Sequence, residues 1–304
     1  MNRDYLISFM EEFDYPAEAR RALLEAFDRA EACPAAKTAM EENRRLFNLG
    51  AFRGTGYSAE LNLVTRAARD CGAHEYTVHL LFYILLSEDT RAEYLRRGIG
   101  MDIFHATMND LHTKLMECYA MCGIWGSFVS GWFKGFFELN RFALGRLQFE
   151  IIHAPFDYEK DGHAVKKGEE VLNVHIPSEG APLTREALDD AYARAAAFYR
   201  SLWPGKPLPI SCHSWLLFPG MQQFMPKDSH ILLFQSDFDI FEEEDDPKFG
   251  DCWRLYYRDY DGHPENLSRN TRMQRGFADW LMAGHHAGFG RGIFFYTKDM
   301  EGQA

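Results

Sequence analysis

The sequence predicts an α/β (α+β) chain in two parts: a helical domain over residues 1–143 and an α/β domain over residues 144–304. Three observations predict it. Apolar residues recur with a helical period through the first half. From Gly145 they alternate with the period of a strand. The amphipathic segment Thr184–Leu202 then separates predicted strands, as a crossover helix does. With 46% hydrophobic and 26% charged residues in 304, the chain lies outside the disordered and collagen-like ranges.

In the first half, Arg20–Ala32 places Leu23, Leu24 and Phe27 on one face. Ala35–Leu49 follows Pro34, a residue suited to a first helical turn. Ser58–Cys71 opens on a candidate N-cap, Ser58, and Gly72 is placed to stop it. Glu75–Leu86 is apolar on all sides and reads as a buried helix, with Thr90–Arg97 and Met101–Met121 after it. The domain boundary falls within Asn140–Gly145.

The second half reads β-β-α-β-α-β-β-α-β. The predicted strands are Arg146–Ile152, Val171–Ile176, Ile210–Leu217, Ile231–Phe241, Cys252–Asp259 and Gly292–Thr297. The predicted helices are Thr184–Leu202, Gly220–Met225 and Asn266–His286. The acidic run Glu242–Asp246 reads as a solvated loop tip.

Charge and pattern narrow the function classes. A net charge of −12 leaves no general basic surface, so neither nucleic acid nor an anionic membrane is an expected partner. The start carries Asp4, Glu11 and Glu12 and no apolar core, so no secretory signal is expected. The uncharged stretch Cys118–Phe133 is too short to span a bilayer. The six cysteines are scattered with no Cys-x-x-Cys pair, as expected of free thiols in a cytoplasmic protein without a metal. His285 and His286 read as a helix-end or packing pair.

Side chains alternate across a strand. Gln148 and Glu150 therefore share one face of the first strand, and Asn173 and His175 one face of the second. On the third, Cys212 and Ser214 lie opposite His213 and Trp215. If these strands are neighbours, Glu150, His175 and either Cys212 or His213 converge. Cys212 and His213 point to opposite faces, which argues against a local nucleophile–base pair. The connection IPSEGAPLT leads from strand to helix, with Gly180 permissive of unusual backbone angles and Thr184 placed to cap. A helix N-terminus after such a loop suits a phosphate, although Glu179 and Glu186 bring negative charge there.

The segments LGRLQFE, VLNVHIPSEGAPLT and CHSWLL, followed by Phe234-Gln235, resemble the GNAT-like C-terminal domain of bacterial acyltransferase-like proteins. The helical half resembles the N-acyltransferase-type N-terminal domain that accompanies it. The resemblance implies a GNAT-like mixed β-sheet domain flanked by helices, splayed at its centre. It also implies that the unit from Val171 to the helix after Thr184 binds the pantetheine and pyrophosphate of an acyl-CoA, through Ile176, Pro177, Gly180, Leu183 and Thr184. The strand bearing CHSWLL then diverges to make the acyl cleft, with Gln148, Asn173, His213 and Trp215 around the substrate. One departure stands out. The family's loop is usually Gln/Arg-x-x-Gly-x-Gly/Ala, whereas SEGAPLT has one glycine, no base and an acid.

The implied function is acyl-CoA-dependent transfer of an acyl group to the amine of a small molecule. The alternative is a non-catalytic GNAT-like small-ligand binding or regulatory protein, which the missing glycine-rich loop favours. Acyl transfer needs a base for the amine, and Glu150 or His175 fits. Backbone N–H groups beside His175 and Ile176 suit the thioester oxygen. Ser214, Cys212 or Tyr256 would meet the leaving thiolate. Direct transfer is preferred to a Cys212 acyl-enzyme, because no activating partner for Cys212 is visible locally.

Overall fold

The computed structural model describes residues 1–56 and 58–297. The chain divides into two compact units, Met1–Phe142 and Ala143–Ala304.

The first unit is helical. It comprises α1 (Arg3–Glu12), α2 (Ala17–Ala32), α3 (Pro34–Asn48), α4 (Asn62–Cys71), α5 (Glu75–Arg97), α6 (Met101–Cys122) and the short α7 (Lys134–Phe137). Helix α5 is its axis, with every residue from Thr77 to Ser87 buried, as a segment apolar on all sides requires. The predicted break before Thr90 is absent and α5 runs on to Gly98, whose left-handed backbone closes it. Pro34 opens α3 at its first position, as expected. Ser58 does not cap a helix. It has a left-handed backbone, makes no capping bond and precedes a 3-10 turn, Ala59–Leu61. The apolar stretch from Cys118 is broken at Gly123, and no helix among the described residues is long and apolar enough to cross a membrane.

The second unit is built on a mixed sheet. Its strands are β1 (Arg141–Leu144), β2 (Leu147–His153), β5 (Glu170–His175), β6 (Leu208–Ser214), β7 (Asp239–Asp246) and β8 (Ala287–Tyr296), in the order β1-β2-β5-β6-β8-β7. The hairpin β3 (Tyr158–Lys160) and β4 (His163–Val165) forms a separate pair. Strand β2 pairs antiparallel with β5, and β6 with β8. Strands β5 and β6 are parallel, joined through α8 (Arg185–Tyr199).

The register sorts the side chains onto two faces. One carries Ile210 and Phe294, and Tyr192 of α8 packs on Phe294 with ring centroids 4.9 Å apart. The other is apolar at one end, where Ile152, Val171, Ile293 and Phe295 pack with Phe156, Tyr158 and Val165 of the hairpin region. At its other end this second face is polar.

Three sequence expectations need correction. Ile231–Phe241 is not one strand: α9 (His230–Gln235), capped by Ser229, takes its first part, and only its end, from Asp239, enters β7. A run of six residues is too short for its period to separate helix from strand. Cys252–Asp259 contains the short helix α10 (Cys252–Tyr256), which places Cys252 and Tyr256 in one core with Phe249 and Phe277. The Glu242–Asp246 run is no loop tip but part of edge strand β7, paired along β8 and largely exposed. Its charges leave the strand soluble while deterring another chain from pairing with the open edge. The last helix is also shorter than expected. Helix α11 (Arg272–Met282) starts at a reciprocal cap between Thr271 and Gln274.

Candidate active site

The polar end of the sheet face is assembled by β2 and β5. Gln148 pairs with His175 and Glu150 with Asn173 across the antiparallel register, so all four side chains share one face. Glu150 Oε1 lies 3.1 Å from His175 Nε2, and Asn173 Nδ2 lies 3.1 Å from the same nitrogen. Gln148 and Glu150 are buried, whereas His175 is half-buried. The arrangement serves both protonation states of the ring. A bare Nε2 accepts from the Asn173 amide, and a protonated Nε2 donates to the Glu150 carboxylate.

Strand β6 meets β5 through only two registered pairs, Leu172 with Ile210 and Asn173 with Ser211. Both strands continue past that point, β5 to His175 and β6 to Ser214. The sheet is therefore split beside His175. Alternation from the Asn173–Ser211 pair puts His213 on the His175 face and Cys212 on the opposite one. His213 is exposed on its face, and partial desolvation of its ring, with the nearby Arg291, lowers its pKa. Arg291 pairs with Glu242 on the same face.

The structure does not bring the other polar candidates to this face. Cys212 is buried on the side packed by α8, where desolvation pushes its thiol pKa well up. It is a poor nucleophile there. Ser214 accepts from Leu216 N at 3.1 Å and caps the 3-10 turn Trp215–Leu217. Trp215 packs against Phe277 in the α11 core. Tyr256 is buried in that core and donates its hydroxyl to Gln274 O at 2.7 Å. His285 stacks on Trp280 at 3.9 Å, and His286 accepts from the Trp280 ring nitrogen. No group of three or more His, Cys, Asp or Glu side chains among the described residues is arranged to hold a metal ion.

Beyond β5 the chain turns through Ile176 and the Pro177–Thr184 loop into α8. Ile176 packs towards the α11 core, and Leu183 is buried. Thr184 caps α8 by accepting from Ala187 N at 3.3 Å, as the sequence implied. Gly180 has φ +111°, a backbone angle side chains rarely adopt. Glu186 sits in the first turn of α8, its pKa lowered by its own backbone N–H and by the Thr184 hydroxyl. A base is present after all. Arg146 donates from Nη2 to Pro177 O at 3.0 Å and from Nε to Ala181 O. The sequence offered a signal for it: an arginine directly after Gly145, at the start of the first predicted strand, Arg146–Ile152.

A mixed sheet split at a parallel pair, with a strand–loop–helix unit at the split, defines the N-acetyltransferase class of fold. Comparison with known families agrees. A model of the GNAT-like C-terminal domain matches residues 141–294, and a model of the N-acyltransferase N-terminal domain matches residues 4–139. The chain belongs to this N-acyltransferase family. Three solved structures share the fold. An acyltransferase mutant in complex with octanoyl-CoA has a TM-score of 0.78 at 18% identity, over 97% of this chain and 89% of that one. An acyltransferase in complex with decanoyl-CoA has 0.78 at 21% identity, over 97% and 88%. An acyltransferase in complex with decanoyl-CoA and teicoplanin has 0.73 at 18% identity, over 95% and 87%. No curated protein matches the chain.

Proposed function

We propose that the protein transfers an acyl group from an acyl-CoA directly to the amine of a small molecule. The observation that carries this reading is the Glu150–His175 pair, at 3.1 Å, beside the split between β5 and β6. His175 is the base and Glu150 orients it and balances its charge. The amine nitrogen attacks the thioester carbonyl, the C–N bond forms and the C–S bond breaks. The amine proton passes to His175 and CoA leaves as the thiol, taking up a proton from the site. Backbone N–H groups at the end of β5 are the donors for the carbonyl oxygen. Octanoyl- and decanoyl-CoA in the similar structures support an acyl chain of that length, and teicoplanin in one of them supports a small-molecule acceptor. One observation favours a rival reading, a non-catalytic ligand-binding protein: the Glu186 carboxylate occupies the N-terminal turn of α8.

The two readings separate on incubation with octanoyl-CoA and a panel of amine-bearing small molecules, followed by mass spectrometry. Free CoA and an acyl-amide are expected together, and the rate of both should fall by about 10²–10⁴ in His175→Ala. Tight CoA binding with no product from any acceptor supports the rival.

A further inference from the structure

Arg146 has a place in the fold that its position in the sequence does not announce. It lies in the two-residue turn Gly145-Arg146 between β1 and β2. Gly145 has φ +68°, and a Cβ there would come within 3.2 Å of Ala191 Cα, so the turn is pressed against α8. From that position the guanidinium crosses the Pro177–Thr184 loop and binds carbonyls on either side of Gly180. A Cβ at Gly180 would lie 3.4 Å from Arg146 Nε. The loop therefore closes around the arginine. A trans peptide points its N–H opposite to its C=O, so holding Pro177 O turns the Ser178 N–H away from Arg146. Burial lowers the Arg146 pKa, yet from a starting value so far above neutrality the group stays charged. It is then the positive charge inside a loop whose own ionisable side chain, Glu179, is acidic.

We propose that Arg146 is a positioning residue for the pyrophosphate end of acyl-CoA, a role that rests on the acyl-CoA reading above. It holds the loop's backbone in one conformation and offsets its negative charge, where related loops use further glycines and a base of their own. Calorimetric titration of the full chain with octanoyl-CoA and with S-octanoyl-pantetheine tests this, because the second lacks the pyrophosphate. Arg146→Ala is expected to weaken octanoyl-CoA binding about tenfold, the order of losing one charge-assisted contact. S-octanoyl-pantetheine binding should be unchanged. Arg146→Lys should recover part of the loss by restoring the charge. If Arg146→Ala does not fold, Arg146→Gln gives the same comparison. Equal weakening of both ligands, or of neither, overturns the proposal. Failure of the unsubstituted protein to bind octanoyl-CoA overturns the acyl-CoA reading itself and this inference with it.

Discussion

Strands β5 and β6 run side by side out of the sheet's centre with similar polar residues and put them to different uses. On β5, Asn173 and His175 meet Glu150 on the face opposite α8. On β6, Cys212 is sealed under α8 and Ser214 caps a turn, so of these three candidates His213 alone shares the His175 face. The difference teaches that residue type does not make a site. Cysteine and serine are the better nucleophiles, but the register sends them away from the split, and burial holds the thiol protonated. Glutamate on β2 and histidine on β5 are brought within hydrogen-bond distance by the antiparallel register, which aligns two polar faces that alternation had predicted separately.

The contrast can be broken by substitution. His175→Ala should lower the acyl-transfer rate by about 10²–10⁴ with the melting curve little altered, the usual contribution of a general base. The double variant His175→Ala/Glu150→Ala should be hardly slower than His175→Ala alone, since the pair acts as a unit. Additive losses would show that Glu150 acts independently. Glu150→Gln should cost roughly tenfold and move the acidic limb of the pH–rate profile to lower pH, because removing the carboxylate charge beside His175 disfavours its protonated ring. A profile unchanged in shape would detach Glu150 from the histidine.

On the β6 side the expected effects are on stability. Cys212→Ala should leave the rate within about twofold while destabilising the fold by about 1 kcal/mol through the small cavity it leaves. Ser214→Ala should cost about 0.5–1 kcal/mol, the loss of one capping bond, again at near-normal rate. Native thiol labelling provides the smallest and simplest contrast: exposed Cys122 should react readily and buried Cys212 should not until the chain unfolds.

The helical half and the polar strand faces were readable in the sequence because each rests on a period, whereas the split of the sheet was implied only by the family resemblance. Leu147–Ile152 and Val171–His175 alternate, and their polar members had to share faces. What it hid depends on contacts distant along the chain. The alternation around Cys212 could not say which face α8 would cover, so Cys212 and His213 stood as equal alternatives until the register placed them. The helix at His230–Gln235 was hidden by shortness and the edge strand by its charge, since a run of five acids looks the same on a loop as on an open edge. Arg146 was hidden differently. A loop motif is sought within the loop, and this base comes from a turn about thirty residues earlier, joined to Pro177 only by the fold.

Direct transfer on the His175 face is the central claim, and intact-protein mass spectrometry during steady turnover of octanoyl-CoA with a working acceptor tests it most directly. The account predicts that the protein stays unmodified while product accumulates. An octanoyl adduct that forms and decays at the turnover rate, mapped to Cys212, would contradict it.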